Sequence, residues 1–389
     1  MNGNTRAKRK KNSSEYFFDY SLLFIVLFLL GFGLVMLYST SSYEAAQKYG
    51  DSAYWLKKQL FSTILGLVAM IVVANIPYQF WERFALLGYG VSVALLLLII
   101  PFGIEANGAK RWLKVAGISL QPAEVAKLCM ILFLASLVCK MGKSIRTLKG
   151  FFVVCMVPVP IVLMVWKITA NMSSAIIILG IALLMLFVAS PDYKKFIIMG
   201  AAGIAVAVVA VLVIVNMGSN QGVEGMDVRG ERILAWLDLE GHASNKGFQT
   251  LQALYAIGSG GIWGKGLGQS MQMLVFLPEA QNDMIFSIIC EELGLFGAIL
   301  IMALFLMLIW RFMVIANNAP DLFGALLVVG VLGHIAIQVI LNIAVVTNTI
   351  PNTGISLPFI SYGGSSVMFL LIEIGLVLSV AKRIQLKEL

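Results

Sequence analysis

The sequence predicts an all-α polytopic membrane protein with about ten transmembrane helices, and three observations support this prediction. Hydrophobic residues make up 60% of the 389 residues and charged residues only 12%, whereas a soluble domain carries roughly 25% charged residues. Several uninterrupted apolar runs have about 20 residues, the length of a helix that crosses a bilayer. The net charge of +8 mainly reports orientation in such a protein, so nucleic acid is not an expected partner.

The apolar runs define the expected order of segments along the chain. A basic tail (1–19) precedes a long apolar run that lacks an A-x-A-like cleavage site, which indicates an uncleaved first span. The membrane domain is expected over 20–381, followed by a second tail (382–389). The ten predicted spans are 20–39, 58–75, 84–102, 123–139, 150–166, 173–190, 195–216, 284–310, 321–343 and 364–381. Pro158 and Pro160 interrupt the fifth span.

Ten spans place both termini on one face of the membrane, and basic residues mark that face as cytoplasmic. These residues lie in the tails and in the predicted inner connections: Arg6, Lys8, Arg9, Lys10, Lys11, Lys140, Lys143, Arg146, Lys149, Lys194, Lys195, Lys382, Arg383 and Lys387. Three longer connections, about 103–122, 217–283 and 344–363, then face outward, and the second joins helices 7 and 8. The chain holds no strong internal repeat, which weakens an inverted-repeat transporter interpretation.

The first outer connection carries Lys110, Arg111 and Lys114 against this trend, and the span after it begins with two charges. Glu124 and Lys127 lie at i and i+3 and therefore share one helix face. Charges at membrane depth often mark a functional site. A structural ion pair, with basic residues reaching lipid headgroups, is an equally good interpretation.

The second outer connection is expected to contain two amphipathic helices at the membrane interface, RGERILAWLDL and GFQTLQALYAIG. Next comes GSGGIWGKGLGQS, whose glycines suit a flexible hinge or, less well, a cradle of amides for phosphate. The connection ends in Asp283, directly before a span, where a helix N-cap and a chemical role are both open and do not exclude each other. Glu291 lies eight residues further on, about 12 Å deeper on the same face.

The third outer connection contains PNTGISLPFISYGGSS, a stretch without charge that is too broken for a helix. Non-helical backbone at membrane depth is tolerated only inside protein or along a cavity, so we expect a re-entrant segment. Gly363 and Gly364 would turn the chain, and Ser365 or Ser366 would cap the last span. The free N–H groups at that helix start favour an anion, although a structural role is the better interpretation.

Other catalytic and metal sites find little support in the sequence. The only histidines, His242 and His334, stand far apart, so neither a zinc cluster nor a Ser-His-Asp set can be assembled. The cysteines lie in apolar runs without C-x-x-C spacing and are predicted to be buried, reduced and inert: Cys129, Cys139, Cys155 and Cys290. Chemistry at the outer face must therefore use carboxylates, basic residues and backbone amides.

Several motifs together resemble a known family. They are NGAKRWL with QPAEVAKL, GFQTLQALYAIGSGGIWGKGLGQS, LPEAQNDMIFSIICEELG and NTGISLPFISYGGSS, in this order along nearly the whole chain. They are similar to motifs of the SEDS proteins (shape, elongation, division and sporulation), which include FtsW, RodA and SpoVE. The long LPEA-containing connection and the basic N-terminal tail look more like the division and sporulation branch than the elongation branch.

The resemblance implies a peptidoglycan glycosyltransferase that polymerises lipid II on the outer face of the cytoplasmic membrane. It also implies a class B penicillin-binding protein as partner, together with other division or sporulation proteins and membrane lipid. A lipid II flippase and a non-catalytic scaffold for the transpeptidase are the rival functions. Among the ionisable residues, only Glu291, His334 and Glu373 lie deep enough to suggest a path across the membrane.

The resemblance also assigns roles to residues. It places the essential aspartate at Asp283, the expected general base, and it suggests Arg111 and Lys127 as diphosphate partners with Glu124 orienting Lys127. The expected substrate-binding residues are Arg111, Glu124, Lys127, Arg229, Lys246 and Ser365. A divalent cation, Mg²⁺ or Mn²⁺, could screen the diphosphate, but the sequence holds no dedicated ligand cluster.

The chain departs from the family pattern at two places. Gln281-Asn282 stands where a His-Thr pair is common, and neither residue can act as a base. Ala170-Asn171-Met172-Ser173 replaces a P-D-L-G motif, so no acidic site is carried over to that position.

Overall fold

The computed structural model describes residues 19–106, 109–115, 118–190, 192–221, 228–242, 247–273 and 277–384. The helices are α1 (Tyr20–Tyr49), α2 (Tyr54–Asn75), α3 (Tyr78–Arg83), α4 (Ala85–Phe102), α5 (Pro122–Met141), α6 (Leu148–Met156), α7 (Pro158–Lys167), α8 (Met172–Ala189), α9 (Tyr193–Gln221), α10 (Val228–Leu237), α11 (Phe248–Gly260), α12 (Ile285–Asn317), α13 (Leu322–Val346) and α14 (Gly364–Ala381). The strands are β1 (Ile104–Ala106), β2 (Ala109–Val115) and β3 (Ile118–Leu120), and a 3₁₀ helix follows α5 at Gly142–Arg146.

Ten helical segments of the described chain are long and apolar enough to cross a membrane, which confirms the predicted fold class. The fifth segment consists of α6 and α7, which are separated at Val157, directly before Pro158. Proline lacks an N–H group and clashes with the preceding turn, so the break follows from the sequence. The two helices predicted in the second outer connection are α10 and α11.

The core of the bundle is formed by α5, α13 and α14, whose apolar windows are the most deeply buried. α14 packs along α2, α13 packs against α8 and α12, and α5 packs against α4. α9 is the opposite case, since none of its apolar window is buried among the described residues. Most of its length therefore faces lipid or another chain, whereas Phe196 near its start packs against Phe151 and Phe187.

The first outer connection contains a small antiparallel sheet in the order β1-β2-β3, which the all-α prediction did not include. Residues of β2 alternate between its two faces, because strands have a period of two. Ala109 and Leu113 are buried, whereas Lys110 and Lys114 are exposed. The strands are short, and the basic residues of β2 obscure the alternation of buried and exposed positions in its sequence.

The third outer connection has neither helix nor strand between Thr347 and Gly363, yet Leu357 and Ile360 are almost fully buried. It lies directly against Gly33 near the middle of α1, where a Cβ would come within 2.6 Å of the Phe359 carbonyl oxygen. The segment thus reaches the middle of the bundle while enclosed by protein, as predicted for a re-entrant segment.

The predicted cap of the last span is wrong. α14 begins at Gly364, and its N-cap residue, Gly363, offers no side chain. The Gly363 N–H donates to the Gln59 side-chain oxygen of α2 (3.1 Å), so a neighbouring helix supplies the acceptor that Ser365 or Ser366 was expected to supply.

The glycine-rich segment packs against a kink in α12. Gly294 interrupts that helix with φ 66° and ψ −162°, and the carbonyl groups left open there accept hydrogen bonds from the segment. Lys265 N–H donates to Glu291 O and Gly266 N–H to Glu292 O, both at 2.9 Å. We call Gly260–Gly266 the glycine clamp. Because these amides already bind α12, the predicted phosphate cradle and hinge are both replaced by a structural contact.

Candidate active site around Asp283

Asp283 lies two residues before α12, at the end of the bundle that the charge pattern places outside; this end is called the outer end below. The N-cap residue of α12 is Met284 and no side chain caps the helix, so the N-cap interpretation of Asp283 is wrong. Its carbonyl oxygen accepts a hydrogen bond from Asn342 Nδ2 of α13 (2.8 Å). Its carboxylate Oδ1 accepts one from Gln249 Nε2 of α11 (3.4 Å).

The pKa of Asp283 is raised to about 7, mainly by burial and to a smaller extent by the negative charge of Glu279. Arg232 and the hydrogen bond from Gln249 oppose this shift. The whole residue is only partly covered, so the carboxylate is poorly hydrated without being sealed from the outer end. A carboxylate with such a pKa can accept a proton at neutral pH.

Glu124 and Lys127 form a salt bridge of 2.8 Å in the first turns of α5. The pair is buried, with Lys127 1% exposed and Glu124 5% exposed. Ser366 of α14 donates its hydroxyl to the second oxygen of Glu124 (3.4 Å). The contact predicted between Glu124 and Lys127 is therefore present, and it satisfies both the structural and the orienting interpretation.

Arg111 of β2 binds the turn before α8. Its Nε donates to Thr169 O (3.2 Å) and its guanidinium NH2 group to Ala170 O (3.1 Å). In the first turn of α8 Ser173 donates its hydroxyl to the carbonyl oxygen of Thr353. The Ala170–Ser173 sequence that departs from the family motif thus links the sheet to the re-entrant segment next to Asp283.

The other predicted substrate-binding residues have different outcomes. Lys246 lies outside the described residues, and of Arg229 only the backbone, in α10, is described. Ser365 is buried in α14, and its hydroxyl has no hydrogen-bond partner among the described residues. Among the described side chains, the cation whose charge acts on Asp283 is Arg232, an exposed residue of α10 that donates to Asn352 O (3.4 Å).

Gln281 and Asn282, where the family commonly has His-Thr, hold the segment before Asp283 in place. Gln281 Nε2 donates to Glu44 Oε2 (3.2 Å), and its carbonyl oxygen accepts the Tyr362 N–H (2.9 Å). Asn282 Nδ2 donates to Glu279 Oε2 (3.1 Å). These residues tie the segment to α1 and to the re-entrant segment, and they supply no base.

Sequence reasoning missed Gln249, Asn342, Asn352 and Arg232. Gln249 and Asn352 lie inside motifs that carry the family resemblance, but the resemblance assigned them no role, and Asn342 lies in an apolar run. For Arg232 a signal existed, because it lies three residues after Arg229 on the same amphipathic helix.

The described residues contain no group of three or more His, Cys, Asp or Glu side chains that could hold a metal ion. These residues therefore do not fit a dedicated metal site. The four cysteines are unpaired; Cys290 is buried as predicted, whereas Cys129, Cys139 and Cys155 are only partly buried.

Comparisons with known proteins agree with the motifs. The FtsW/RodA/SpoVE model, described as a cell cycle protein, matches residues 20–386. The chain is 38% identical to stage V sporulation protein E of Bacillus subtilis over 366 residues, 94% of this chain and 97% of that one. It is 39% identical to the probable peptidoglycan glycosyltransferase FtsW of Geobacter metallireducens over 370 residues, 95% of this chain and 96% of that one.

Solved structures give the same answer. A chain from a peptidoglycan synthase complex, solved to explain the structural coordination of polymerization and crosslinking, matches with a TM-score of 0.76 and 25% identity, covering 95% of this chain and 99% of that one. The rod shape determining protein RodA of Thermus thermophilus matches with a TM-score of 0.66 and 25% identity, covering 95% and 98%. The expected resemblance is confirmed, and the chain belongs to the FtsW/RodA/SpoVE (SEDS) family.

Proposed function

We propose that the protein is a peptidoglycan glycosyltransferase that polymerises lipid II into glycan strands, with Asp283 as the general base. Its family, and relatives of similar length that are named peptidoglycan glycosyltransferases, support the reaction class. The observation that carries the role of Asp283 is its setting, a carboxylate at the outer end whose pKa is raised to about 7 by burial and by Glu279.

The reaction joins an acceptor sugar hydroxyl to the anomeric carbon of a second sugar. Asp283 takes the proton of the hydroxyl while the new C–O bond forms, and the anomeric C–O bond to the undecaprenyl diphosphate breaks. The diphosphate leaves with its electron pair and needs nearby positive charge. Arg111, Lys127 and Arg232 are the proposed cations, and a divalent cation would have to come with the diphosphate.

Lys127 can bind the diphosphate only if the substrate enters the buried space beside Glu124. The salt bridge holds the ammonium group at the outer end of α5 in one orientation. Little side-chain entropy is therefore lost when the substrate binds. Arg111 offers a planar guanidinium, which suits paired contacts to phosphate oxygens. Arg229, Lys246 and Ser365 remain substrate-binding candidates from the family resemblance.

A lipid II flippase is the rival function, and the deep ionisable residues weigh against it. Glu291 forms a salt bridge with Lys265 (2.7 Å), and His334 Nδ1 lies 2.8 Å from Glu373 Oε2. Glu291, His334 and Glu373 are fully buried. They pair with their neighbours and do not line a path through both leaflets.

The partner and the cellular setting are part of the proposal. The match to a chain of a peptidoglycan synthase complex supports a transpeptidase partner of the class B penicillin-binding type. Similarity to SpoVE and to FtsW supports a role in division or sporulation. Reaction at the outer face requires that both termini lie in the cytoplasm.

The first prediction tests the enzyme directly with purified protein, partner and lipid II in detergent, where no leaflets exist to be crossed. The wild type is expected to form glycan chains, and Asp283→Asn to lose at least about 100-fold of the rate, because general bases contribute about 10²–10⁴-fold. Asp51→Asn, at an exposed carboxylate of the same end, is the matched control.

The outcomes distinguish the glycosyltransferase from the flippase and the scaffold, and they test the role of Asp283 separately. Wild-type protein that binds lipid II but forms no chains in detergent would favour the flippase or the scaffold. Asp283→Asn protein that polymerises at the wild-type rate would leave the enzyme standing and remove Asp283 as its base.

A further inference from the structure

We propose that Gln249 is a positioning residue for Asp283, holding carboxylate Oδ1 so that Oδ2 faces the approaching acceptor hydroxyl. The proposal rests on the proposed function, since it assigns a partner to the same base. Gln249 Nε2 reaches Asp283 Oδ1 at 3.4 Å and Pro278 O at 3.0 Å. One amide group thus contacts both ends of the Pro278–Asp283 segment.

The orientation of the Gln249 amide is itself determined. Its oxygen accepts a hydrogen bond from Asn352 Nδ2 (2.9 Å), and the Asn352 oxygen accepts the Gly354 N–H (3.1 Å). A flipped Gln249 would place two amide donors against each other and two oxygens against each other. The re-entrant segment therefore fixes the NH₂ group of Gln249 toward Asp283.

The main chain of Asp283 is held at a second point. Asn342 Nδ2 donates both to Asp283 O (2.8 Å) and to Ile355 O (2.6 Å). Asn342 belongs to α13 and Ile355 to the re-entrant segment, so the carbonyl of Asp283 and the segment around Gly354 are fixed relative to each other. With the main chain held and Oδ1 bound, the direction of the second oxygen is set.

Oδ2 of Asp283 faces Gly354. A Cβ built on Gly354 would lie 3.6 Å from Oδ2, and Gly354 has φ +67°, a conformation that side chains rarely adopt. The backbone therefore passes this oxygen without a side chain to cover it. A sugar hydroxyl must come within about 2.6–3.2 Å of a general base, and in our proposal it reaches Oδ2 on the side where position 354 carries no side chain.

The chemistry of an amide suits the role. Among the described side chains, the charged groups acting on Asp283 are Glu279 from its own segment and Arg232 from α10, while residues 347–363 of the re-entrant segment contain no charged side chain. Gln249 is neutral, so it can orient the carboxylate without cancelling the charge that makes it a base. Its hydrogen bond favours the ionised form.

The test is a pH–rate profile of lipid II polymerisation for purified variants with the partner present. Gln249→Leu keeps the size and removes the donor, so the acid limb of the profile is expected to move up by about half a pH unit, with about a threefold loss of rate on its acid side. Gln249→Glu places a second carboxylate there and should move the limb further. Gln47→Leu, at an exposed position near the end of α1, is the matched control.

A second variant keeps the proposal testable if Gln249→Leu does not fold. Asn352→Leu keeps Gln249 but removes the hydrogen bond that orients its amide. The acid limb of the pH–rate profile should therefore move in the same direction, by a smaller amount. The double variant Gln249→Leu/Asn352→Leu should then resemble Gln249→Leu, because both changes disrupt one chain of contacts.

The positioning role is overturned if Gln249→Leu lowers the rate equally at every pH or leaves the profile unchanged. The Asp283→Asn protein, measured alongside, separates this failure from failure of the base assignment. An inactive Asp283→Asn with an unshifted Gln249→Leu removes only Gln249, whereas an active Asp283→Asn removes both.

Discussion

At the scale of single residues, a carboxylate acts as a general base only while it is ionised, so its surroundings decide the pH at which it works. Around Asp283, burial and Glu279 push the pKa up to about 7 while Arg232 and Gln249 pull it down. A base with a pKa near the working pH combines a substantial ionised fraction with a strong affinity for the proton. The surroundings of Asp283 thus match the task proposed for it.

The pH dependence of the reaction follows with a definite sign. Below about pH 7 Asp283 is mostly protonated in the folded protein, so the polymerisation rate should fall as pH falls through this value and level off above it. Glu279→Gln removes a negative charge that raises the pKa, and should move the acid limb to lower pH. The measurement is the pH–rate profile under single-turnover conditions.

Glu240→Gln serves as the control, because Glu240 is exposed and is not among the groups that shift the pKa of Asp283. An acid limb that stays in place in Glu279→Gln would contradict the predicted electrostatics, as would a wild-type acid limb at the pKa of an exposed aspartate.

At the scale of elements, the glycine clamp explains why the outer part of α12 stays fixed although Gly294 breaks its helical path. Gly264 has φ +78°, and a Cβ there would come within 2.2 Å of Glu292 O. Glu292 in turn accepts hydrogen bonds from Ser39 of α1 (2.7 Å) and from Gly268 N–H (3.1 Å). The clamp therefore connects α11 and α12, and the Glu292 side chain adds α1, about 12 Å deeper in the bundle than Asp283.

Gly264→Ala should destabilise the protein by at least about 1–3 kcal/mol, because the methyl group both meets a backbone carbonyl and requires a strained backbone. Thermal unfolding in detergent, followed by size-exclusion chromatography, is the measurement. Gly258→Ala is the control, since a Cβ on this glycine of α11 meets nothing within 4 Å and alanine favours the helix. Equal melting temperatures for the two variants would exclude a tight clamp.

The elements that could be predicted from the sequence are those with a long-range pattern. Ten apolar runs and two amphipathic helices stand out because lipid and interface impose hydrophobicity over many residues. The cap of α14 could not be predicted, because its partner, Gln59, lies 304 residues away. Gln249 and Asn342 escaped for the same reason, since an uncharged amide acquires its role only from the tertiary contacts it makes.

At the scale of the whole molecule, polar groups are arranged differently at the outer end and in the middle of the bundle. In the middle, His334 and Glu373 pair with each other inside protein. At the outer end, Asp283 and Arg232 remain partly or largely exposed beside the re-entrant segment. The contact between His334 and Glu373 is hydrogen-bonded and enclosed by protein, so the architecture favours chemistry at one face over transport through the bundle.

This arrangement requires that the Asp283 end lies outside the cell, which is the last prediction. α1 has 30 residues, or about 45 Å at 1.5 Å per residue, and exceeds the roughly 30 Å hydrocarbon core. Its exposed residue Gln47 should therefore project from the outer surface, while Asn318, between α12 and α13, should lie in the cytoplasm.

In a cysteine-free background, a membrane-impermeant maleimide should label Gln47→Cys in intact cells and Asn318→Cys only after permeabilisation. The opposite labelling would place Asp283 in the cytoplasm, away from lipid II on the outer face, and would refute the proposed reaction whatever the purified protein does in detergent.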